Sequence, residues 1–272
     1  MPNAPSLHIE DIMLTVGNHQ LGARWIRHHA HRKLEPTLVF LHEGLGSIAQ
    51  WRDFPETLAR QTGLPALVYD RLGHGTSPAL SEPRTMHYLE EEALVVLPRM
   101  LACCGIENPI LVGHSDGGSI ALLFASKFPE VPRAVISEAA HVFLEPITRT
   151  GLQAAKEAFD HGLLRGKLAR FHGEKIDALF QTWCGTWLDP ASHDWDITSP
   201  MSNIQAPLLM VQGENDDYGS PAQILAVTRR VQGPTETLMI PHCGHIPHFQ
   251  ANQIVLSRIR AFLQKFVAPF EN

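Results

Sequence analysis

Apolar or alternating runs bounded by turn-forming residues recur at Leu21–His28, Thr37–His42, Ala66–Asp70, Ile110–His114, Ala134–Glu138, Pro207–Gln212 and Thr235–Ile240, and each predicts a β-strand. Several contain almost no polar side chain. A strand exposed on one face alternates, so a continuous Val/Leu/Ile run is the pattern of a strand covered on both faces. The segments between supply the covers: Ile48–Gln61, Thr85–Cys104, Gly117–Phe128, Pro221–Val231 and Ala251–Val267 carry apolar residues at helical spacing. Strands and helices in this order predict the α/β class, a mostly parallel sheet with helices on both faces.

The alternation breaks once, after Glu138, where about sixty residues pass before Pro207 restores it. This stretch reads as helical at Thr150–Phe159, Leu163–Phe171 and Lys175–Leu188, and it carries Trp183, Trp187 and Trp195, three of the five tryptophans. Ligands of open α/β sheets bind outside the carboxyl ends of the strands, where an insertion of this kind forms a lid. The expected organisation is a core in two parts, residues 1–141 and 204–272, with a helical cap at 142–203. Trp183 and Trp187, four apart on one helical face, either line a pocket under the cap or pack its helix onto the body.

Composition narrows the function by exclusion. At 272 residues the chain suits one large domain with a substantial core. A formal charge of -6 gives no electrostatic reason to expect nucleic acid or an anionic membrane as partner. The first residues, Met1 to Ser6, lack a basic segment followed by an apolar one, and no stretch has the length of a membrane span. The expectation is a cytoplasmic protein, monomer or homodimer, acting on a small molecule. Cys103, Cys104, Cys184 and Cys243 fit neither a disulfide framework nor a zinc pattern, and are expected to be reduced. Sixteen histidines raise a metal hypothesis, most of all at His28, His29 and His31, but no carboxylate or cysteine stands at ligand spacing there. No metal and no cofactor is expected.

The chemistry concentrates at Gly113-His114-Ser115-Asp116-Gly117, between the strand ending at His114 and the helix-like segment from Gly117. A serine at such a strand–turn–helix apex is a nucleophile elbow: its backbone is strained, and glycines flank it because a Cβ there would meet neighbouring backbone. The hydroxyl is lifted from the sheet edge, and the N-terminus of the next helix is aimed at any oxyanion formed beside it. A serine is a poor nucleophile near neutral pH and needs a base with something to orient it. His245 follows the last strand, and Asp216 follows the strand before it, in the order Ser…Asp…His. His242 and His248 are rival bases; Asp217 and, at the end of an earlier strand, Glu138 are rival acids. The oxyanion also needs amide donors. Asp116 supplies one, and Gly44, in His42-Glu43-Gly44-Leu45-Gly46-Ser47, is the choice for the second.

These motifs, with Asp70-Arg71-Leu72-Gly73-His74-Gly75-Thr76-Ser77, Gly213-Glu214-Asn215-Asp216 and Gly244-His245, resemble the α/β-hydrolase fold family of serine hydrolases along nearly the whole chain. The resemblance implies a cofactor-independent hydrolase of a small carboxylic ester or thioester. Carbon–carbon bond, lactone or amide hydrolysis by the same triad is the alternative, and a ligand receptor with a retained triad ranks below it. Branches of the family that open haloalkanes or epoxides place aspartate where Ser115 stands. One departure is Glu43, where the family's loop usually has glycine; it either binds a cationic group or braces the loop. Ser115-Asp116-Gly117-Gly118 and Lys167–Leu188 are similar to the valacyclovir hydrolase type of α-amino-acid ester hydrolase, which implies that Asp116 holds a substrate ammonium group. Otherwise its carboxylate caps the helix from Gly117.

Overall fold

The structure is a computed structural model describing residues 6–28 and 35–267. His29 and His31 of the histidine cluster lie outside the described residues. Eight strands form one sheet: β1 (His8–Val16), β2 (His19–Arg27), β3 (Thr37–Leu41), β4 (Ala66–Tyr69), β5 (Pro109–His114), β6 (Ala134–Glu138), β7 (Leu208–Gly213) and β8 (Thr235–Ile240), in the order β1-β2-β4-β3-β5-β6-β7-β8. From β4 to β8 every pairing is parallel, so the carboxyl ends of these strands share one edge. Only the β1–β2 hairpin runs antiparallel to its neighbours.

The apolar runs do what their composition predicts. Alternate residues of one strand enter opposite cores: Val39 and Leu41 join the layer that holds Leu97 and Ile120, whereas Leu38 and Phe40 join the layer of Leu58 and Phe262. Burying each such side chain contributes about 1.5–3 kcal/mol. Strand β1 escapes a reading by apolar content because it is the sheet edge: HIEDIMLTV is mostly exposed or half-buried, and Glu10 and Asp11 pair with Arg27 and Arg24 across the hairpin.

The helix predicted over Thr85–Cys104 is interrupted. Tyr88–Glu91 and Leu97–Cys104 are α-helical, with a wider π turn over Glu92–Val96. Pro98 lacks an N–H for the ordinary ladder, and the widened turn ends at Val96, two residues before it.

Between β6 and β7 the chain forms helices Pro146–Asp160, Leu163–His172 and Ile176–Leu188. A reciprocal capping box of Glu145 and Thr148 starts the first. The insertion has its own apolar cluster, in which Phe159 stacks on Phe180 at 3.7 Å between ring centroids. Its two ends meet where Ile197 N–H donates to Val142 C=O at 2.8 Å. No helix among the described residues is long and apolar enough to cross a membrane.

Candidate active site

Ser115 follows β5 and starts the helix Asp116–Lys127, and its φ of 53° is in the left-handed region, which costs a non-glycine residue about 1–3 kcal/mol. The elbow survives because its surroundings fix it. Ser115 N–H donates to Glu138 C=O at 2.8 Å, tying the apex to the end of β6. A Cβ on Gly113 would stand 2.1 Å from Gly117 O, and one on Gly117 would stand 1.9 Å from Leu41 O, so both positions exclude a side chain.

The loops after β7 and β8 bring the other two groups over the same edge. His245 Nδ1 lies 2.8 Å from Asp216 Oδ1, and His245 Nε2 lies 3.0 Å from Ser115 Oγ. A carboxylate only accepts, so Nδ1 carries the proton and Nε2 offers its lone pair to the serine hydroxyl. Asp216, 4% exposed, is held by the Tyr218 N–H at 2.8 Å. Burial alone would lower the His245 pKa. The hydrogen bond and charge of Asp216, with the charges of Glu43 and Asp116, outweigh burial and raise it.

The rival groups go elsewhere. Glu138 Oε2 is 2.9 Å from His248 Nδ1, and this buried pair packs beneath Trp51. Glu138 therefore orients His248 rather than His245. Asp217 is exposed. His242 is also exposed and takes a left-handed position in its loop, φ 58°.

The loop after β3 is fixed through its carbonyls. Glu43 C=O accepts from Arg71 Nη2 at 2.6 Å and from His42 Nδ1 at 2.8 Å, and Gly44 C=O accepts from His74 Nε2 at 2.9 Å. In a trans peptide the N–H points opposite the preceding carbonyl, so the Gly44 amide faces away from Arg71 and His42. A Cβ on Gly44 would stand 2.1 Å from Trp183 Nε1 and 3.0 Å from Asp116 Oδ2, which puts this glycine against the elbow. The Glu43 side chain, 25% exposed, places Oε2 3.6 Å from His114 Nδ1.

Asp116 is 1% exposed, and its carboxylate accepts a short hydrogen bond from Tyr88 Oη, with Arg71 Nη1 at 3.9 Å. It does not bond back to its helix. Tyr88 in turn accepts from Trp187 Nε1 at 2.9 Å. Trp187 thus both packs in the core and lines the narrow cavity above Ser115, ≈ 20 Å³, with Trp183, His141 and Tyr218. Tyr88, His114, His141 and Tyr218 were not singled out from sequence. His114 and Tyr218 had a positional signal, beside Ser115 and close after Asp216; Tyr88 and His141 had none.

A parallel sheet with an elbow serine, and with a carboxylate and an imidazole on later strand ends, defines the α/β hydrolases. The chain belongs to the alpha/beta hydrolase family, whose model matches residues 38–258. It is 26% identical over 255 residues to the sn-1-specific diacylglycerol lipase ABHD11 of Mus musculus, covering 84% of this chain and 81% of that one. It is 25% identical over 246 residues to the 2-hydroxy-6-oxo-2,4-heptadienoate hydrolase of Pseudomonas putida, covering 81% and 85%. Among solved structures, the 2-hydroxy-6-oxo-6-phenylhexa-2,4-dienoate hydrolase of Rhodococcus sp. strain RHA1 superposes with a TM-score of 0.77 at 14% identity, covering 95% of this chain and 100% of that one. That identity speaks for the fold alone.

Proposed function

We propose that this protein is a serine hydrolase that cleaves a small carboxylic ester or thioester through an acyl-enzyme. The observation that carries the reading is the continuous path Ser115 Oγ, His245 Nε2, His245 Nδ1, Asp216 Oδ1, with links of 3.0 and 2.8 Å. In this mechanism His245 takes the Ser115 proton as Oγ attacks the acyl carbon, and Asp216 holds the ring and stabilises the imidazolium. The N–H of Asp116, at the helix start, and the N–H of Gly44 receive the oxyanion. His245 then protonates the leaving group, and water, activated by the same ring, releases the acid. No cofactor takes part.

Residues 142–203 act as the cap over the two-part core, with Trp183 and Trp187 as its contact to substrate and Glu43 at the rim. The four cysteines are free, which suits a reducing cytoplasm. Carbon–carbon bond hydrolysis, suggested by the name of the Pseudomonas relative, fits less well. The cavity wall has no Lys or Arg among the described residues to receive a dienoate carboxylate, and Arg71 already serves Asp116 and the Glu43 carbonyl. The test is a burst of nitrophenol from a short-chain nitrophenyl ester, expected with the native chain and absent in Ser115→Ala. Undiminished turnover in that variant removes the reading.

A further inference from the structure

Two acceptors face each other beside the proposed triad. His114, buried at the end of β5, directs Nε2 to the backbone carbonyl of His245 at 2.6 Å. A carbonyl only accepts, so Nε2 carries the proton and Nδ1 keeps a lone pair. That Nδ1 looks at Glu43 Oε2, 3.6 Å away. Turning the contact into an ion pair requires an imidazolium, which burial and the neighbouring His248 and His245 oppose by pushing His114 well below the ordinary histidine range. The Glu43 carboxylate makes no hydrogen bond among the described residues, since Arg71 Nη2 serves the carbonyls of His42 and Glu43 while Nη1 faces Asp116. His245 adds a third lone pair on Nε2, because its Nδ1–H belongs to Asp216. One donor atom from each of Glu43, His114 and His245 lies within 4.8 Å of the other two.

We propose that Glu43, His114 and His245 bind a divalent metal ion of borderline softness, zinc being the fitting case, and that the ion inhibits the enzyme by capturing its base. Two imidazoles and one carboxylate form the donor set of open zinc sites, which leave a fourth position to water. With metal–ligand bonds of about 2.0–2.2 Å, tetrahedral donors stand roughly 3.4 Å apart. The Glu43–His114 separation of 3.6 Å is already close to that value, and the His245 donor atom lies within 4.8 Å of both. The outer partners fit as well. Metal-ligating histidines donate their second nitrogen to a carbonyl or carboxylate, as His114 does to the His245 carbonyl and His245 to Asp216. Metal binding needs the unprotonated forms of all three groups, so zinc competes with protons at His245 and binds more tightly as pH rises. Once it holds His245 Nε2, the Ser115 hydroxyl has no acceptor and acylation stops.

The inhibitory consequence rests on the function proposed above; the binding does not, and the experiment separates them. Zinc chloride titrated into the nitrophenyl ester assay is expected to abolish hydrolysis, with EDTA restoring it. Cobalt(II) added to Ser115→Ala, which needs no activity, is expected to give the visible absorption of a four-coordinate site, and zinc to displace it. Glu43→Gln and His114→Gln, each checked for an intact melting transition, are expected to weaken cobalt binding by more than the roughly 10–100-fold that loss of an outer-shell partner costs. His193→Ala, at an exposed histidine elsewhere, leaves binding unchanged. Absence of a cobalt spectrum, or equal affinity in Glu43→Gln and the parent, overturns the proposal. So does competitive inhibition by alkylammonium ions without any by zinc, which makes the acceptor pair a site for organic cations. If the native chain fails to hydrolyse the ester while cobalt binds, the metal site stands and the hydrolase reading falls.

Discussion

Gly44→Ala tests the least conspicuous part of the proposed machinery. The added Cβ lands 2.1 Å from Trp183 Nε1 and 2.6 Å from Trp183 Cδ1, whereas ordinary contact begins near 3.4 Å. Something must yield by about 1 Å. The indole is braced by Phe180 and lies over the cavity, and the loop is anchored by three hydrogen bonds through the Glu43 and Gly44 carbonyls. If the loop yields, the Gly44 amide leaves the oxyanion position. Loss of one such donor costs about 2.7–4 kcal/mol in the transition state, a fall of roughly 10²–10³ in kcat. The fold itself is spared because the clash is with a side chain. The assay is ester hydrolysis under saturating substrate, paired with a urea melt, for Gly44→Ala, Trp183→Ala and the double variant. The expected pattern is a large loss of kcat in Gly44→Ala with nearly unchanged stability, and partial recovery in the double variant, where the obstacle is gone. An unchanged kcat in Gly44→Ala, or a double variant no better than the single, refutes the reasoning.

Asp216→Asn is expected to lower kcat by about 10⁴, since the amide favours the wrong tautomer of the base; Glu138→Gln, which affects only His248, is expected to spare kcat and lower the melting temperature, and equal losses in the two would undo the assignment of the acid. The raised pKa of His245 places the acid limb of kcat/KM above the ordinary histidine value of about 6.5, activity being lost as pH falls through it, and Glu43→Gln moves that limb down. For stability the sign reverses: the charged ring gains from Asp216, so its contribution is complete below about pH 6.5 and fades as pH rises through the folded-state value, as melts across pH will record. Tyr88→Phe leaves Asp116 without its donor and Trp187 without its acceptor, and is expected to destabilise the fold by about 1–3 kcal/mol in urea titration; an unshifted midpoint would show that the chain of bonds carries no weight.

The parts of this molecule written locally could be read from the chain. Apolar runs such as Ile110–Val112 announced strands buried on two faces, and the glycines around Ser115 announced the elbow, because both patterns answer to neighbours a few residues away. The β1 strand was missed because an edge needs few apolar residues. The order Ser115, Asp216, His245 was legible, yet choosing between Asp216 and Glu138 required knowing which histidine each carboxylate meets. The Glu138–His248 pair joins positions 110 residues apart, and no periodicity encodes it. The same holds for Glu43 against His114. Its place in the loop marked it as unusual, but only the folded backbone brings the two acceptors together.

The indole–phenol–carboxylate chain from Trp187 through Tyr88 to Asp116 joins the inserted helix Ile176–Leu188 to the very residue whose amide is proposed to receive the oxyanion. The small cavity above Ser115 is walled by both ends of that chain, Trp187 and Asp116. A displacement of the helix Ile176–Leu188 is therefore transmitted through Tyr88 to the residue that follows Ser115. The grip on substrate from above and the shape of the turn below are thus set by one shared set of contacts.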